Sequence, residues 1–275
     1  MTTDDASRTT PEVEVVAGEA TPEEIAAAEA TAEVVEDIKN ERDANWAKLT
    51  GALTVGEVPP EARNINVTGR RQTGPMQGFG KMWQKTYRVS LGPEVTPQEV
   101  ISEWKAKFPN FWPDGNRFYG PLTGIAPGDV ALLNLTMPGR LKLSTGVLVL
   151  YADEESFTFM TPEGHMFAAF ITFSAFEDKH GGTSAQAQVL LRANDPLFEV
   201  GLAAGGHRKE DKFWVHTLEA LSAHFGVTTD VETQVICVDK KRQWRNARNI
   251  RYNSAIRSGF YMMGTPFRAL RRSGR

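Results

Sequence analysis

The chain has 275 residues, 41% of them hydrophobic and 24% charged, with a formal net charge of −3. This is the make-up of a globular protein of one domain plus extensions, long enough to bury a real core. No apolar run approaches the roughly 20 residues that cross a bilayer, and the single cysteine, Cys237, excludes an internal disulfide and a cysteine-built zinc site.

The ends carry opposite charge. Residues 1–50 hold thirteen acids and four bases, while residues 240–275 hold eleven bases and no acid. Such ends pair with each other or with outside partners. The opening MTTDDASRTT has no basic start and no apolar core. The expectation is therefore no signal peptide and a cytoplasmic location.

In chain order, residues 1–20 are polar and acidic and are expected to be disordered. Thr21-Pro22-Glu23-Glu24 is a helix start, with Thr at the N-cap, Pro at N1 and Glu at N3. It predicts a helix over about 21–49, solvated in the first reading and docked on a partner in the second. Residues 50–80, with Pro59-Pro60, Pro75 and several glycines, read as linker. The whole of 1–80 is thus expected as an acidic, largely disordered extension carrying one helix.

The folded domain is expected over 81–228. In Met82–Leu91, Trp83, Tyr87, Val89 and Leu91 alternate with Gln84, Thr86, Arg88 and Ser90, a half-buried strand whose pattern Lys85 breaks. Thr96-Pro97-Gln98-Glu99 repeats the capping signature and opens a helix to about Lys107. A proline-broken aromatic connection, Phe108–Pro113, follows. Strand-like runs come next: Val130–Leu135, Leu141–Tyr151, Phe157–Phe159, Met166–Phe176 and Thr183–Arg192, separated by hairpin-length turns. In the second of these, Leu141, Leu143, Val147, Val149 and Tyr151 are expected on one side. Asn194-Asp195-Pro196 stops the series. His207–Gly226 then has Trp214, Leu218, Leu221 and Phe225 at helical spacing, one apolar stripe on a long helix that Gly226 is placed to cap.

Strand, helix, antiparallel meander and long terminal helix predict an α+β fold, a curved antiparallel sheet wrapped around that helix. At these stretches (WQKTYRVSL, PQEVISEWKAKFP, TGVLVLYADEESFTFMTPEGHMFAAFITFSAF and HRKEDKFWVHTLEALSAHFG) the chain resembles the START-like helix-grip superfamily, which includes polyketide cyclase-like and aromatase-like proteins. Within it the likeness is to uncharacterised bacterial branches, carried by Thr161-Pro162-Glu163-Gly164-His165 and Arg192-Ala193-Asn194-Asp195-Pro196-Leu197. The resemblance covers roughly half the chain and speaks to architecture more than activity. It implies a cavity between sheet and helix that holds an apolar or lipid-like molecule. Trp104, Tyr119, Phe159, Phe170, Trp214 and Leu218 are the candidate lining, against the alternative that all six are plain core.

Polar groups that carry chemistry are sparse. His165 follows a glycine at a strand start and is either an acid/base group or a turn histidine held by hydrogen bonds. Arg192 ends a strand and either forks onto a ligand anion or pairs with Asp195 or Glu199. No residues are assigned as catalytic. No histidine pair has zinc spacing, no glycine-rich phosphate loop is present, and neither a metal nor a cofactor is expected.

Residues 229–275 are expected as a basic tail, with an edge strand at Thr233–Val238, a helix from Lys240 to Ala255, and amphipathic pieces broken by Gly259, Gly264 and Pro266. Arg245, Arg248, Arg251, Phe260 and Phe267 are the candidate contacts to a membrane or partner. Three uses of the tail remain open: docking on its own domain, lying on an anionic membrane at its inner face, or, ranked last, contacting nucleic acid. For the whole chain the first function class is a non-catalytic binder or carrier of an apolar small molecule or lipid, with a place at the membrane surface as one use of its tail. The others are a cyclase- or aromatase-like enzyme and a scaffold acting through its charged ends.

Overall fold

The computed structural model describes Thr31, Lys39 and residues 42–48, 50–121, 124–137 and 142–263. The elements are β1 (Gln72–Thr73), β2 (Met82–Gly92), α1 (Pro97–Lys107), β3 (Arg117–Tyr119), β4 (Val130–Thr136), β5 (Lys142–Ala152) and β6 (Ser156–Pro162). They continue with β7 (Phe167–Glu177), β8 (Thr183–Ala193), α2 (Pro196–Gly201), α3 (His207–His224), β9 (Glu232–Asp239) and α4 (Ser254–Met263). Met1–Asp43 and Ala44–Arg275 are two separate units. Of the first, Thr31, Lys39, Arg42 and Asp43 are helical and exposed. The disorder expected over residues 1–20 and the Phe267 end of the tail lie outside the described residues.

Nine strands form one sheet in the order β3-β4-β5-β6-β7-β8-β2-β9, with β1 pairing beside β6. Every neighbouring pair is antiparallel. The sequence dictates much of the meander, since the turns from β5 to β6, β6 to β7 and β7 to β8 sit on glycine or acidic residues. At Gly181, φ is 77° and Asp178 Oδ1 accepts from the backbone of His180 and Gly182.

Strand alternation sorts side chains between two faces. Odd-numbered residues of β2, β7 and β8 face α1 and α3, which cover the concave side. Tyr87, Phe173, Ala187 and Val189 are among those fully buried there. The α1 helix opens with the predicted capping box: Thr96 accepts from the Glu99 amide, and the Glu99 carboxylate accepts from the Thr96 amide. The α3 helix buries Trp214, Leu218 and Leu221 and ends at Gly226, where φ is 76°. Between α2 and α3 the backbone kinks at Ala204-Gly205, where Gly205 takes φ 114°, a conformation open to glycine.

The convex side is covered by two segments that the sequence reading took as separate. Residues 50–80, expected as linker, form a packed strap. Leu53 and Val67 meet Val130, Leu132 and Leu148 in a second apolar cluster. Phe79 hydrogen-bonds Ala193 through its amide and Gln243 through its carbonyl. Lack of periodicity was misleading here, because the strap's only regular pieces among the described residues, β1 and a 3₁₀ turn at Pro75–Gln77, are too short to show a period. The tail beyond β9 also docks on this face. The expected helix over 240–255 is instead a 3₁₀ helix at Trp244–Tyr252 followed by α4. Tyr151, expected with Val149, moves to the other face because a register shift falls between them, and it packs on Trp46 at 4.7 Å.

Candidate functional site

Aromatic rings from the sheet, α1 and α3 meet one another in the concave space. Trp104 meets Phe173 at 5.1 Å and Phe157 at 6.0 Å. Phe108 touches Phe118, Phe157, Phe159 and Phe173 at centroid distances of 5.0 to 5.6 Å. Trp214 of α3 closes the set on Phe173 at 5.5 Å. These edge-to-face and offset contacts are the favoured aromatic geometry. Of the predicted lining, Trp104, Phe159, Trp214 and Leu218 do come together between sheet and helices.

Tyr119, Phe170 and Arg192 do not. Tyr119 pairs with Leu132 and Phe170 with Met160, both on the convex face, and Arg192 pairs with Ala168 there. A one-residue difference in strand position puts a side chain on the opposite face. Phe118, next to Tyr119, takes the inward place. Tyr119 instead lines a convex-face cavity of about 190 Å³ with Arg63, Arg117 and Lys142. Phe170 lies beneath the strap at Gly74.

His165 is buried at the turn into β7, and its Nδ1 accepts from the Phe167 amide at 3.0 Å. Burial holds its pKa down to about 4, so the ring is neutral at pH 7. Arg192 is also buried. It donates to the carbonyl oxygens of Gly80 and Lys241 and to Asp239 Oδ2 at 2.5 Å. Its expected partners are engaged elsewhere. Glu199 accepts from Arg242 at 2.9 Å, and Asp195 caps α2 and accepts from Asn253 at 2.8 Å. Arg192 and the Asn194-Asp195 junction therefore fasten strap, sheet and tail together, while His165 braces the turn into β7.

Lys85 explains its own break in pattern. It occupies an inward position, is 1% exposed, and its Nζ lies 2.8 Å from Glu210 Oε2 and 2.7 Å from Asp211 Oδ1 of α3. Tyr87 also donates to Asp211, at 2.7 Å. Burial, the Glu210 charge and that hydrogen bond all raise the Tyr87 pKa, so it remains a phenol. Beside them His207 meets Trp83 edge-on at 5.1 Å, with its Nδ1 3.9 Å from Glu210 Oε2. The sequence signal was an ammonium at an inward strand position, which demands a carboxylate across the gap.

The tail presents a different surface. In a 3₁₀ helix residues three apart eclipse, so Trp244–Tyr252 has three rows. Asn246, Asn249 and Tyr252 form the docking row. Asn246 donates to Gly78 O at 2.9 Å, and Asn249 to Gln77 O at 2.8 Å and Asn194 O at 3.0 Å. Arg245, Arg248 and Arg251 form a second row, all exposed. Trp244, Ala247 and Ile250 form the third, with Trp244 73% exposed. Beside Trp244 lies a groove of about 550 Å³ walled by Phe79, Val200, Ala203 and Ala204, with Arg242 at its edge. In α4, Ser254 and Ser258 are buried, while Ile256, Phe260 and Met263 lie exposed on the outer side. No acid occurs between 240 and 263. The docking row was legible in principle as an asparagine every third residue.

A curved antiparallel sheet carries one long helix across its concave face. The arrangement is a helix grip. No family model and no curated protein matches the chain. Solved structures do resemble it. A Mycobacterium smegmatis protein is 14% identical over 63% of this chain and 98% of its own, with a TM-score of 0.38. A START superfamily protein from the same organism is 20% identical over 54% and 98%, at 0.35. The di-domain ARO/CYC StfQ of the steffimycin biosynthetic pathway is 11% identical over 54% and 53%, at 0.42.

Among the described residues no helix is long and apolar enough to cross a membrane, and no group of histidine, cysteine and carboxylate side chains could hold a metal ion.

Proposed function

We propose that the protein is a peripheral lipid-binding protein that lies on an anionic membrane surface through its tail. The observation that supports this reading is the three-rowed 3₁₀ helix. One row fastens it to the domain, one offers Arg245, Arg248 and Arg251, and the third offers Trp244 and Ile250. With about 2 Å of rise per residue, successive arginines stand roughly 6 Å apart, a spacing that suits neighbouring headgroup phosphates. An aromatic and aliphatic row beside a cationic row is what an interfacial helix needs. The Trp244 groove and the outer side of α4 add exposed apolar surface on the same segment. Nucleic acid would use the arginines but gives Ile250, Phe260 and Met263 no role.

Sedimentation of the full chain with phosphatidylglycerol-containing vesicles tests this. Binding is expected, absent on pure phosphatidylcholine and weakened by salt. At about 1 kcal/mol per arginine near the surface, replacing all three by Gln should weaken binding roughly 100-fold. Unchanged binding by that variant, or RNA binding without vesicle binding, would overturn the proposal.

A second reading keeps an apolar ligand between sheet and helices. It has in its favour the buried indole nitrogens of Trp104 and Trp112, which find no hydrogen-bond acceptor among the described residues. Mass spectrometry of the organic extract from gently purified, then denatured, protein decides it. A near-stoichiometric amphiphile with an acceptor group, lost in a folded Trp214→Ala variant, would support this reading, and a clean extract would remove it.

A further inference from the structure

The cavity beside Tyr119, at the β3 end of the convex face, is built from three strands, the strap and α4. Arg117 of β3 pairs with Asn134 of β4, and Asn134 pairs with Ser144 of β5. Tyr119 lies two residues along β3 from Arg117, and Lys142 pairs with Thr136 at the other side of that row. The registers are unbroken over these pairs, so strand alternation sets Arg117, Tyr119, Asn134, Ser144 and Lys142 on one face. The strap adds Glu61 and Arg63 to the same cavity of about 190 Å³, and α4 adds Ser258 and Met262. Hydrogen bonds fix this frame. The Ser144 hydroxyl donates to the Arg63 carbonyl, and the Ser144 amide donates to Ser258 Oγ at 3.3 Å. Asn134 Nδ2 donates to the Glu61 carbonyl at 3.3 Å.

Its charge is unbalanced. Three cations, Arg63, Arg117 and Lys142, stand against one carboxylate, Glu61. Neither guanidinium has an ion pair or a hydrogen bond among the described residues. Lys142 gives two of its three N–H groups to Gly115 O at 3.1 Å and Thr136 Oγ1 at 2.8 Å, which leaves one. The stretches that follow β4 and α4 in sequence, 138–141 and 264–275, contain no acid to balance these cations. Asn134 Oδ1 is buried and has no hydrogen-bond donor among the described residues. A bare anion would answer the guanidiniums but not this acceptor, which needs an O–H or N–H.

We propose that this cavity binds the phosphate ester of a small polyol. Arg63 and Arg117 fork onto the phosphate oxygens, the remaining N–H of Lys142 adds a contact, and a polyol hydroxyl donates to Asn134 Oδ1. The volume lies below the roughly 300–1,000 Å³ of sites for drug-sized ligands and suits a molecule the size of glycerol phosphate. The same chemistry is offered by a free metabolite and by a lipid headgroup. Arg245, Arg248 and Arg251 take no part, so the site stands or falls separately from the membrane reading.

Isothermal titration calorimetry of the full chain should show glycerol phosphate binding more tightly than inorganic phosphate, and glycerol not at all. Arg63→Gln and Arg117→Gln each remove an exposed, unpartnered guanidinium. Each should weaken binding about tenfold or more with an unchanged circular dichroism spectrum. Sedimentation with phosphatidylglycerol vesicles separates the two sources. A loss in Arg117→Gln that parallels its loss of glycerol phosphate affinity assigns a lipid headgroup. Sedimentation that Arg117→Gln leaves unchanged, or that does not occur in the wild type, assigns the free ester. No heat at millimolar glycerol phosphate overturns the proposal. So does an affinity indifferent to both arginines, or inorganic phosphate bound as tightly as the ester.

Discussion

Replacing Lys85 by Met removes the ammonium that faces two carboxylates at the buried junction of β2 and α3. The cost is not shared equally. Asp211 keeps the Tyr87 hydroxyl and is 31% exposed along its side chain, so water and the phenol recover part of its solvation. Glu210 is buried and its second oxygen, Oε1, already has no hydrogen-bond partner among the described residues. Stranding a buried charge costs about 3–5 kcal/mol, and with the Asp211 share discounted the expected loss is roughly 3 kcal/mol. For a folded unit of this size that is a fall in Tm of roughly 6–12 °C. Adding Glu210→Leu should recover most of it, because the uncompensated charge is then gone. Thermal and urea unfolding at pH 7 measure both variants. A loss under about 1 kcal/mol, or no recovery in the double variant, would refute the idea that Lys85 compensates a buried charge.

Other perturbations have equally definite outcomes. The His165 pKa, held down to about 4 against 6.5 in the unfolded chain, means stability is complete above pH 6.5. It should fall by roughly 3 kcal/mol as pH drops to 4, and comparing the Tm–pH slope of the wild type with His165→Gln isolates that contribution. Gly164 has φ 87° and a Cβ there would overlap the Tyr252 carbonyl, so Gly164→Ala should release the tail, seen as faster limited proteolysis within 240–263. Thr96→Ala removes one half of the capping box and should cost about 1 kcal/mol in urea unfolding.

The long periodic elements were legible. Thr96-x-x-Glu99, the Trp214–Leu221 stripe and the alternation of Thr183–Arg192 each carry a local signal that the fold obeys. What was not legible depends on parity or on distant partners. Tyr119 and Phe118 differ by one position, and composition cannot say which points inward. Arg192 had acids near it in sequence, but its ionic partner, Asp239, comes from the strand two places away in the sheet, beyond β2. The strap over 50–80 has no period because its order comes from scattered contacts: the two-residue β1 pairing with β6, Leu53 and Val67 against β4 and β5, and single hydrogen bonds to β5, β8 and the tail. Lys85 was noticed as an exception, and the exception carried more information than the rule around it.

The 3₁₀ helix has a kinetic consequence. Its docking row binds the carbonyls of Gln77 and Gly78, about 170 residues earlier in the chain, and those of the β8 end. Arg257 and Ser258 reach Asn66 across a similar span. Contacts of such sequence separation close last, since the loop entropy is met only after the strands between are in place. Asn246 and Asn249 find their acceptors only once strap and β8 already lie side by side. The arginine row is thus assembled by the final steps of folding. An unfinished chain has the same residues but not their alignment, so any partner that reads the row also reads whether the protein is complete.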